Sequence, residues 1–251
     1  MNRASCNLII LLIACLILTS AVCAVQPDAP LRVYQPVPAQ PVHLADAEAF
    51  PVVSIRYQPD QSEIENPETF RIRVNRRTNT VTVYKQDPSG SYSEAVMAML
   101  CSVGEATPRG AYKISAKYEW RPLFGNVYGQ YSVRIIGNIL FHSVPYTAQS
   151  KDTLKYDEYN KLGTSASMGC VRLCCADAFW IYSNCAPGTV VEIYDSDDPG
   201  PLGKPEFIPI DTQSPYRGWD PTDPDDANPW KENEAYTPKE EEPLPEILGI
   251  E

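Results

Sequence analysis

Apolar and polar side chains alternate along several short segments of the chain, as they do in β-strands that bury one face. Residues 70–74 alternate apolar side chains with arginine, and residues 81–83 resume the alternation after a turn-like run at 75–79. This spacing predicts a β-hairpin. Residues 96–101 are apolar at every position, which predicts a central strand covered on both faces.

One helix interrupts this β-rich pattern. Between residues 176 and 184, apolar side chains recur at the i, i+3, i+4 and i+7 spacing that places them on one helix face. Residues 118–131 are rich in aromatic side chains without regular spacing, and we expect an irregular loop there. The pattern therefore predicts a mainly β domain, with further strands at residues 112–114, 133–136, 139–142 and 189–194.

Proline and a hydrophobic leader divide the chain into four parts. Residues 1–24 combine Arg3, an apolar run and a small-residue site, which predicts a secretory signal peptide. Of the 24 prolines, 8 fall in residues 25–67 and 11 in residues 196–251, and proline breaks helices and central strands. We therefore predict a proline-rich linker at 25–67, a folded domain at 68–195, and an acidic, proline-rich tail at 196–251.

The signal peptide predicts export to the cell envelope or cell wall, and the alternative is a chain anchored in the membrane by an uncleaved signal. The formal net charge is −11, and residues 196–251 hold 4 Lys plus Arg against 15 Asp plus Glu. The domain itself is thus nearly neutral. Because it has no basic patch, we expect no nucleic-acid partner. The tail is interpreted as a solvated spacer, with Trp219 and Trp230 as loose anchors.

Cys170 is the candidate nucleophile, and the sequence offers it almost no choice of base. A free thiol is mostly protonated near neutral pH, so a reactive cysteine needs an imidazole close by to stabilise the thiolate. The chain has two histidines, His43 and His142. His43 lies among prolines, whereas His142 ends an apolar strand that would hold it firmly. The predicted pair is therefore His142 and Cys170.

Several ordered motifs resemble the catalytic domain of the L,D-transpeptidase family. They are Phe141-His142-Ser143, Gly163, and the run Ser167-Met168-Gly169-Cys170-Val171-Arg172. Matching segments lie upstream at Gly104 to Tyr112 and downstream from Asp177 to Val191, so the resemblance covers about residues 68–195. It implies an L,D-transpeptidase-like β-sandwich of mixed sheets, with one main helix after the nucleophilic cysteine.

The resemblance also implies a reaction on peptidoglycan stem peptides. Cys170 would form a thioester with a stem tetrapeptide, with His142 as its base, and an amine acceptor would then take the acyl group. The Ser143 carbonyl would orient the imidazole and Gly169 would help to hold the oxyanion. Substrate contacts are expected from Arg172, from Ser167, and from Tyr128. Tyr128 belongs to an aromatic group that either forms a lid or covers the edge of the core.

Met168 departs from the family motif, which usually has histidine immediately before the glycine. Methionine can neither take up a proton nor donate a hydrogen bond. Because the base role belongs to His142, we expect activity to survive with Met168 lining the site. Two alternatives stay open: an L,D-carboxypeptidase that gives the acyl group to water, and a non-catalytic cell-wall binding protein.

Five cysteines remain once a signal peptide is removed: Cys101, Cys170, Cys174, Cys175 and Cys185. The four besides Cys170 allow three disulfide pairings, or they stay reduced. With two histidines and no paired cysteine spacing, we expect no metal and no cofactor. We expect the protein to act as a monomer.

Overall fold

The computed structural model describes residues 56–232, so the predicted signal peptide and most of the predicted linker lie outside it. Among these residues nine strands form one mixed sheet and three α-helices lie beside it. The strands are β1 Phe70–Asn75, β2 Thr80–Lys85, β3 Glu94–Ser102, β4 Gly110–Lys113, β5 Ala116–Leu123, β6 Val127–Ile136, β7 Ile139–Ser143, β8 Val171–Leu173 and β9 Val190–Tyr194. The helices are α1 Gln61–Glu65, α2 Tyr156–Tyr159 and α3 Cys175–Asn184, followed by a 3₁₀ helix at Pro229–Glu232.

The strand order is β4-β9-β1-β2-β3-β8-β7-β6-β5, with antiparallel pairing except at two places. The parallel pairs are β1 with β9 and β7 with β8. The predicted fold class is confirmed, because the domain is mainly β, its sheet is mixed, and its main helix follows Cys170. None of the helices at residues 56–232 is both long and apolar enough to span a membrane.

The principal core joins strands from both halves of the sheet to α3. Val74 and Val83, from the predicted hairpin, are fully buried together with Val133 and Phe141 from β6 and β7. Helix α3 packs against β6 and β7 and buries its predicted apolar face, including Ile181. Each such side chain contributes roughly 1.5–3 kcal/mol by leaving water. The periodicity of the sequence therefore identified these core positions, although Trp180 and Thr82 are also buried outside the predicted faces.

The aromatic stretch predicted to be irregular is instead a long hairpin, and that prediction is wrong. β5 and β6 pair from Ala116 opposite Arg134 to Leu123 opposite Val127. Gly125 and Asn126 adopt positive φ values of 89° and 55°, as a tight turn between two strands requires. β5 forms the edge of the sheet and is only partly buried, so its sequence shows little alternation.

The segment after β9 also differs from its prediction. Residues 196–232 pack on the domain, and Trp230, Ile210 and Asp220 are each at most 3% exposed. The interpretation as a solvated spacer is wrong for this part of the chain, while residues 233–251 lie outside the described residues. Composition indicated solvation because prolines and acids dominate, yet it did not show that particular acids find buried hydrogen-bond donors.

Asp220 and Thr222 supply the N-terminal cap that α3 lacks within its own sequence. The residue before the helix, Cys174, makes no capping hydrogen bond with its side chain. The Cys175 amide donates to Asp220 Oδ2 at 2.8 Å, and the Ala176 amide donates to Thr222 Oγ1 at 3.1 Å. Two of the unpaired amides at the helix start are thereby satisfied by a segment about 45 residues away.

We expect Trp230→Ala to destabilise the domain strongly. The indole is buried, and its Nε1 donates to the carbonyls of Tyr216 and Trp219 at 3.0 and 3.1 Å. Truncation should cost about 3 kcal/mol or more in the free energy of unfolding. Urea denaturation measures this, with Phe124→Ala as the matched control because Phe124 is 84% exposed. Equal stability of the two variants would show that residues 196–232 do not hold the domain together.

Candidate active site

The predicted nucleophile and base line one cleft of about 400 Å³. Its walls come from the β5–β6 hairpin, from β7, and from the loop that precedes β8. Both members of the predicted pair are present, together with Ser167, Met168, Gly169 and Arg172. The fold therefore gathers residues that lie as much as 30 positions apart in the sequence.

His142 is held in one orientation by its own strand. It is 2% exposed, and its Nδ1 lies 2.6 Å from the backbone carbonyl oxygen of Ser143. A carbonyl can only accept, so Nδ1 carries the proton and Nε2 keeps a free lone pair. This is the tautomer that a general base requires. The Ser143 hydroxyl is fixed as well, since it accepts from the backbone amide of Gln130 at 2.8 Å and donates to the Val144 carbonyl.

Gly129 makes room for the imidazole, and sequence reasoning missed it. It lies in β6 beside β7, where an added Cβ would come within 2.9 Å of His142 Cβ and 3.1 Å of Nδ1. Any larger residue would displace the ring. The signal available in the sequence was a glycine inside a strand, which often marks a close approach of another group.

Hydrogen bonds of two side chains fix the loop that carries Cys170. Ser167 Oγ donates to the Cys170 carbonyl at 2.6 Å and accepts from the Gly169 amide at 3.0 Å. Thr107 Oγ1 donates to the Gly169 carbonyl at 2.8 Å and accepts from the Gly104 amide at 2.9 Å. Thr107 was recognised only as part of a matching segment, yet it is buried and braces the loop directly.

Two glycines allow this loop to approach its neighbours. An added Cβ at Gly104 would lie 2.1 Å from the Ser167 carbonyl oxygen, so the position tolerates no side chain. Gly169 has a φ of 156°, and an added Cβ would lie 3.1 Å from Ile139 and 3.4 Å from Ala106. The Gly169 amide already donates to Ser167 Oγ. Its expected role as an oxyanion donor would therefore require that bond to be released, and the role stays a prediction.

Cys170 lies directly before β8, and its thiol donates to the Asn138 carbonyl at 3.5 Å. The parallel pairing of β7 with β8 places His142 opposite Arg172, two residues beyond the thiol. The predicted base, in β7, and the predicted nucleophile, directly before the adjacent β8, therefore line the same cleft. All five described cysteines are free, so none of the three possible disulfide pairings occurs in this structure.

Burial disfavours the charged form of both groups. It raises the pKa of the Cys170 thiol, and the Leu140 amide and the Arg172 guanidinium oppose that shift. Burial also lowers the pKa of His142 to about 4. The positive charge of Arg172 lowers it further, whereas the hydrogen bond to the Ser143 carbonyl raises it. Near neutral pH the resting pair is a neutral thiol and a neutral imidazole. This differs from the preformed thiolate that sequence reasoning suggested.

Arg172 is neutralised by a residue that the sequence did not reveal. Its guanidinium forms an ion pair with Glu158 of α2, and the same carboxylate bonds Lys161 at 2.7 Å. The Arg172 side chain is 15% exposed, so the pair is well shielded from water. Glu158 thereby fixes the position of the cation that stands beside His142 in the sheet.

Met168 lines the cleft, whereas Tyr128 does not. Met168 is 69% exposed, so its side chain reaches into the opening. In β6, Val127 lines the cleft and Gly129 faces His142. Successive strand residues point to opposite faces, so Tyr128 faces away. The structure therefore brings together every predicted site residue that lies in the motifs, apart from Ser143, whose carbonyl acts from behind the ring.

The family model of the L,D-transpeptidase catalytic domain, YkuD, matches residues 69–193. This domain belongs to the L,D-transpeptidase family. The match ends shortly before the segment at 196–232, so the capping residues Asp220 and Thr222 lie outside the family region. The L,D-transpeptidase domain of this chain is thus supported by a segment that the family match does not include.

A curated relative in Bacillus subtilis (strain 168), named "Putative L,D-transpeptidase YciB", is 37% identical over 113 residues. The match covers 40% of this chain and 56% of that relative. Solved structures that are similar include an L,D-transpeptidase from Mycobacterium smegmatis, 19% identical with a TM-score of 0.40, covering 50% of this chain and 58% of that one. Another, from Mycobacterium tuberculosis H37Rv, is 23% identical with a TM-score of 0.38, covering 51% and 58%.

The neutral resting pair predicts how the alkylation rate of Cys170 in this L,D-transpeptidase domain depends on pH. Alkylation by iodoacetamide needs the thiolate, and the pKa of Cys170 lies above the ordinary value of 9.0. We expect the alkylation rate to rise continuously through pH 9. Mass spectrometry with Cys170→Ala as the blank measures it, since the other four described cysteines are buried. A plateau below pH 7 would instead indicate a preformed thiolate–imidazolium pair.

Proposed function

We propose that the protein is a secreted peptidoglycan L,D-transpeptidase that forms a thioester on Cys170 and transfers a stem peptide to an amine. The observation that carries this proposal is the imidazole of His142, whose Nδ1 is bound at 2.6 Å by the Ser143 carbonyl within the cleft that holds the thiol. Membership of the L,D-transpeptidase family and the predicted signal peptide support it.

The first half-reaction forms the acyl-enzyme. Cys170 Sγ bonds to the carbonyl carbon of the third stem residue as its proton passes to His142 Nε2. The carbonyl oxygen then carries a negative charge, which the Gly169 amide would stabilise once its bond to Ser167 Oγ is released. When the tetrahedral intermediate collapses, its C–N bond breaks. The departing D-amino acid takes the proton from the imidazolium, and a thioester remains on Cys170.

The second half-reaction releases the enzyme. The side-chain amine of another stem peptide attacks the thioester carbon and gives its proton to His142 Nε2. The C–S bond breaks, and the imidazolium returns the proton to the departing sulfur. At neutral pH an imidazole with a pKa of about 4 is unprotonated, so Nε2 holds the lone pair that accepts the proton in each step.

The side chain at position 168 does not hold the loop together. The loop conformation depends on Ser167 Oγ and Thr107 Oγ1, while Met168 projects into the opening and is largely exposed. The conformation of the loop that carries Cys170 therefore does not depend on a histidine at position 168. This supports an active enzyme over a non-catalytic binding protein.

The proposal predicts a covalent adduct at Cys170 and a cross-linked product. Purified protein incubated with a carbapenem under reducing conditions should gain one adduct mass on Cys170, and tetrapeptide stems should yield dimers. Since His142 supplies the base, His142→Gln should slow acylation by about 100-fold or more. Absence of any adduct with folded protein would overturn the proposal. Release of free tripeptide without dimer would establish the carboxypeptidase alternative.

Met168→His tests the departure from the family motif. Because Met168 makes no bond that fixes the loop, we expect the substitution to change the acylation rate by less than about tenfold. Met168→Leu is the matched control for size and polarity. Activity that appears only in Met168→His would show instead that the natural residue impairs catalysis and would favour the binding role.

A further inference from the structure

The wall of the cleft formed by the β5–β6 hairpin carries two arginines, Arg121 and Arg134, which the proposed mechanism does not use. Among residues 56–232 neither forms an ion pair with an acidic side chain. The third arginine of the cleft, Arg172, forms an ion pair with Glu158, which also bonds Lys161. Since no Asp or Glu of the described part of the chain lines the cleft, the charges of Arg121 and Arg134 have no acidic partner among those residues.

Tyr118 orders both guanidinium groups. Arg134 donates to the Tyr118 hydroxyl at 2.7 Å, and the Arg121 guanidinium stacks over the Tyr118 ring at 4.6 Å. One tyrosine, through its ring for Arg121 and its hydroxyl for Arg134, thus holds two like charges close together on one strand pair. Two cations kept adjacent without an acid between them are a poor arrangement for stability, and they suit an anionic ligand.

These cations also lie next to the nucleophile. Arg134 donates to the Gly137 carbonyl, and the neighbouring Asn138 carbonyl accepts from the Cys170 thiol. Arg121 stands opposite Gly129, the residue that packs against His142. A ligand group held by the two arginines would therefore be close to the carbonyl under attack.

We propose that Arg121 and Arg134 form a carboxylate subsite that selects donor stem peptides with a free carboxylate beside the reacting residue. Arginine presents a planar fork of N–H donors that matches a carboxylate. An amidated stem would lose the charge and would place its own N–H donors against those of the arginines. This proposal rests on the proposed function. It implies that the β5–β6 hairpin distinguishes donor stem peptides with a free carboxylate from those in which that carboxylate is amidated.

Alkylation of Cys170 tests the subsite without any peptidoglycan. Iodoacetate carries a carboxylate and iodoacetamide is its neutral amide, and both react with the same thiolate. The ratio of their rates therefore cancels changes in thiolate fraction. We expect the ratio of the iodoacetate rate to the iodoacetamide rate to be higher for Cys170 of the wild-type protein than for a free cysteine derivative. Arg121→Gln and Arg134→Gln should each lower the ratio by about threefold or more.

Matched variants separate the local effect from overall charge. Arg77→Gln removes one positive charge at a side chain that is 58% exposed and outside the cleft, so it should leave the ratio unchanged. Arg121→Lys keeps the charge and should retain most of the preference. Ratios that are the same in wild type, Arg121→Gln and Arg134→Gln would overturn the subsite.

Donor peptides then test the substrate class. Wild-type protein should be acylated faster by a stem with a free carboxylate than by its amidated counterpart, and Arg121→Gln should abolish that difference. Faster acylation by the amidated stem would overturn the assignment of the ligand. If neither stem acylates Cys170, the proposed function fails, while the ratio of alkylation rates still decides whether the anion subsite exists.

Discussion

The parallel pairing of β7 with β8 is the constraint on which the site depends. It places His142 beside Arg172 and brings the Cys170 loop to the same end of the sheet. Side chains alternate along a strand, so a slip of one residue would turn the imidazole to the opposite face. The Ser143 carbonyl that orients the ring belongs to the same strand, so pairing and orientation are set together.

Parallel neighbours cannot be joined by a tight turn, and this explains the long separation of the two motifs. The chain leaves β7 after Ser143 and re-enters the sheet at Val171. The crossover contains α2, whose Glu158 neutralises Arg172, and ends in the loop that carries Cys170. The connection that the topology requires therefore also builds one wall of the cleft and fixes its central cation.

Sequence reasoning succeeded where a local pattern has a direct structural consequence. Strand alternation identified the β1–β2 hairpin, helical spacing identified the buried face of α3, and the apolar strand before His142 indicated a firmly held imidazole. It failed where a property depends on distant partners. Gly129, Thr107 and Glu158 act through contacts with residues 13 to 62 positions away, which no local spacing reveals. The pKa shifts of the pair depend on burial, which the sequence shows only indirectly.

The segment at 196–232 extends this dependence on distant partners to the helix behind the site. Its Asp220 and Thr222 cap α3, and burial raises the pKa of Asp220 to about 6, with Thr222 and the Cys175 amide opposing the shift. Helix α3 begins two residues after β8, which itself has three residues and starts directly after Cys170. Because so few residues separate them, a displacement of the helix start would also move the thiol. The cap on α3 therefore helps to hold the Cys170 thiol in place.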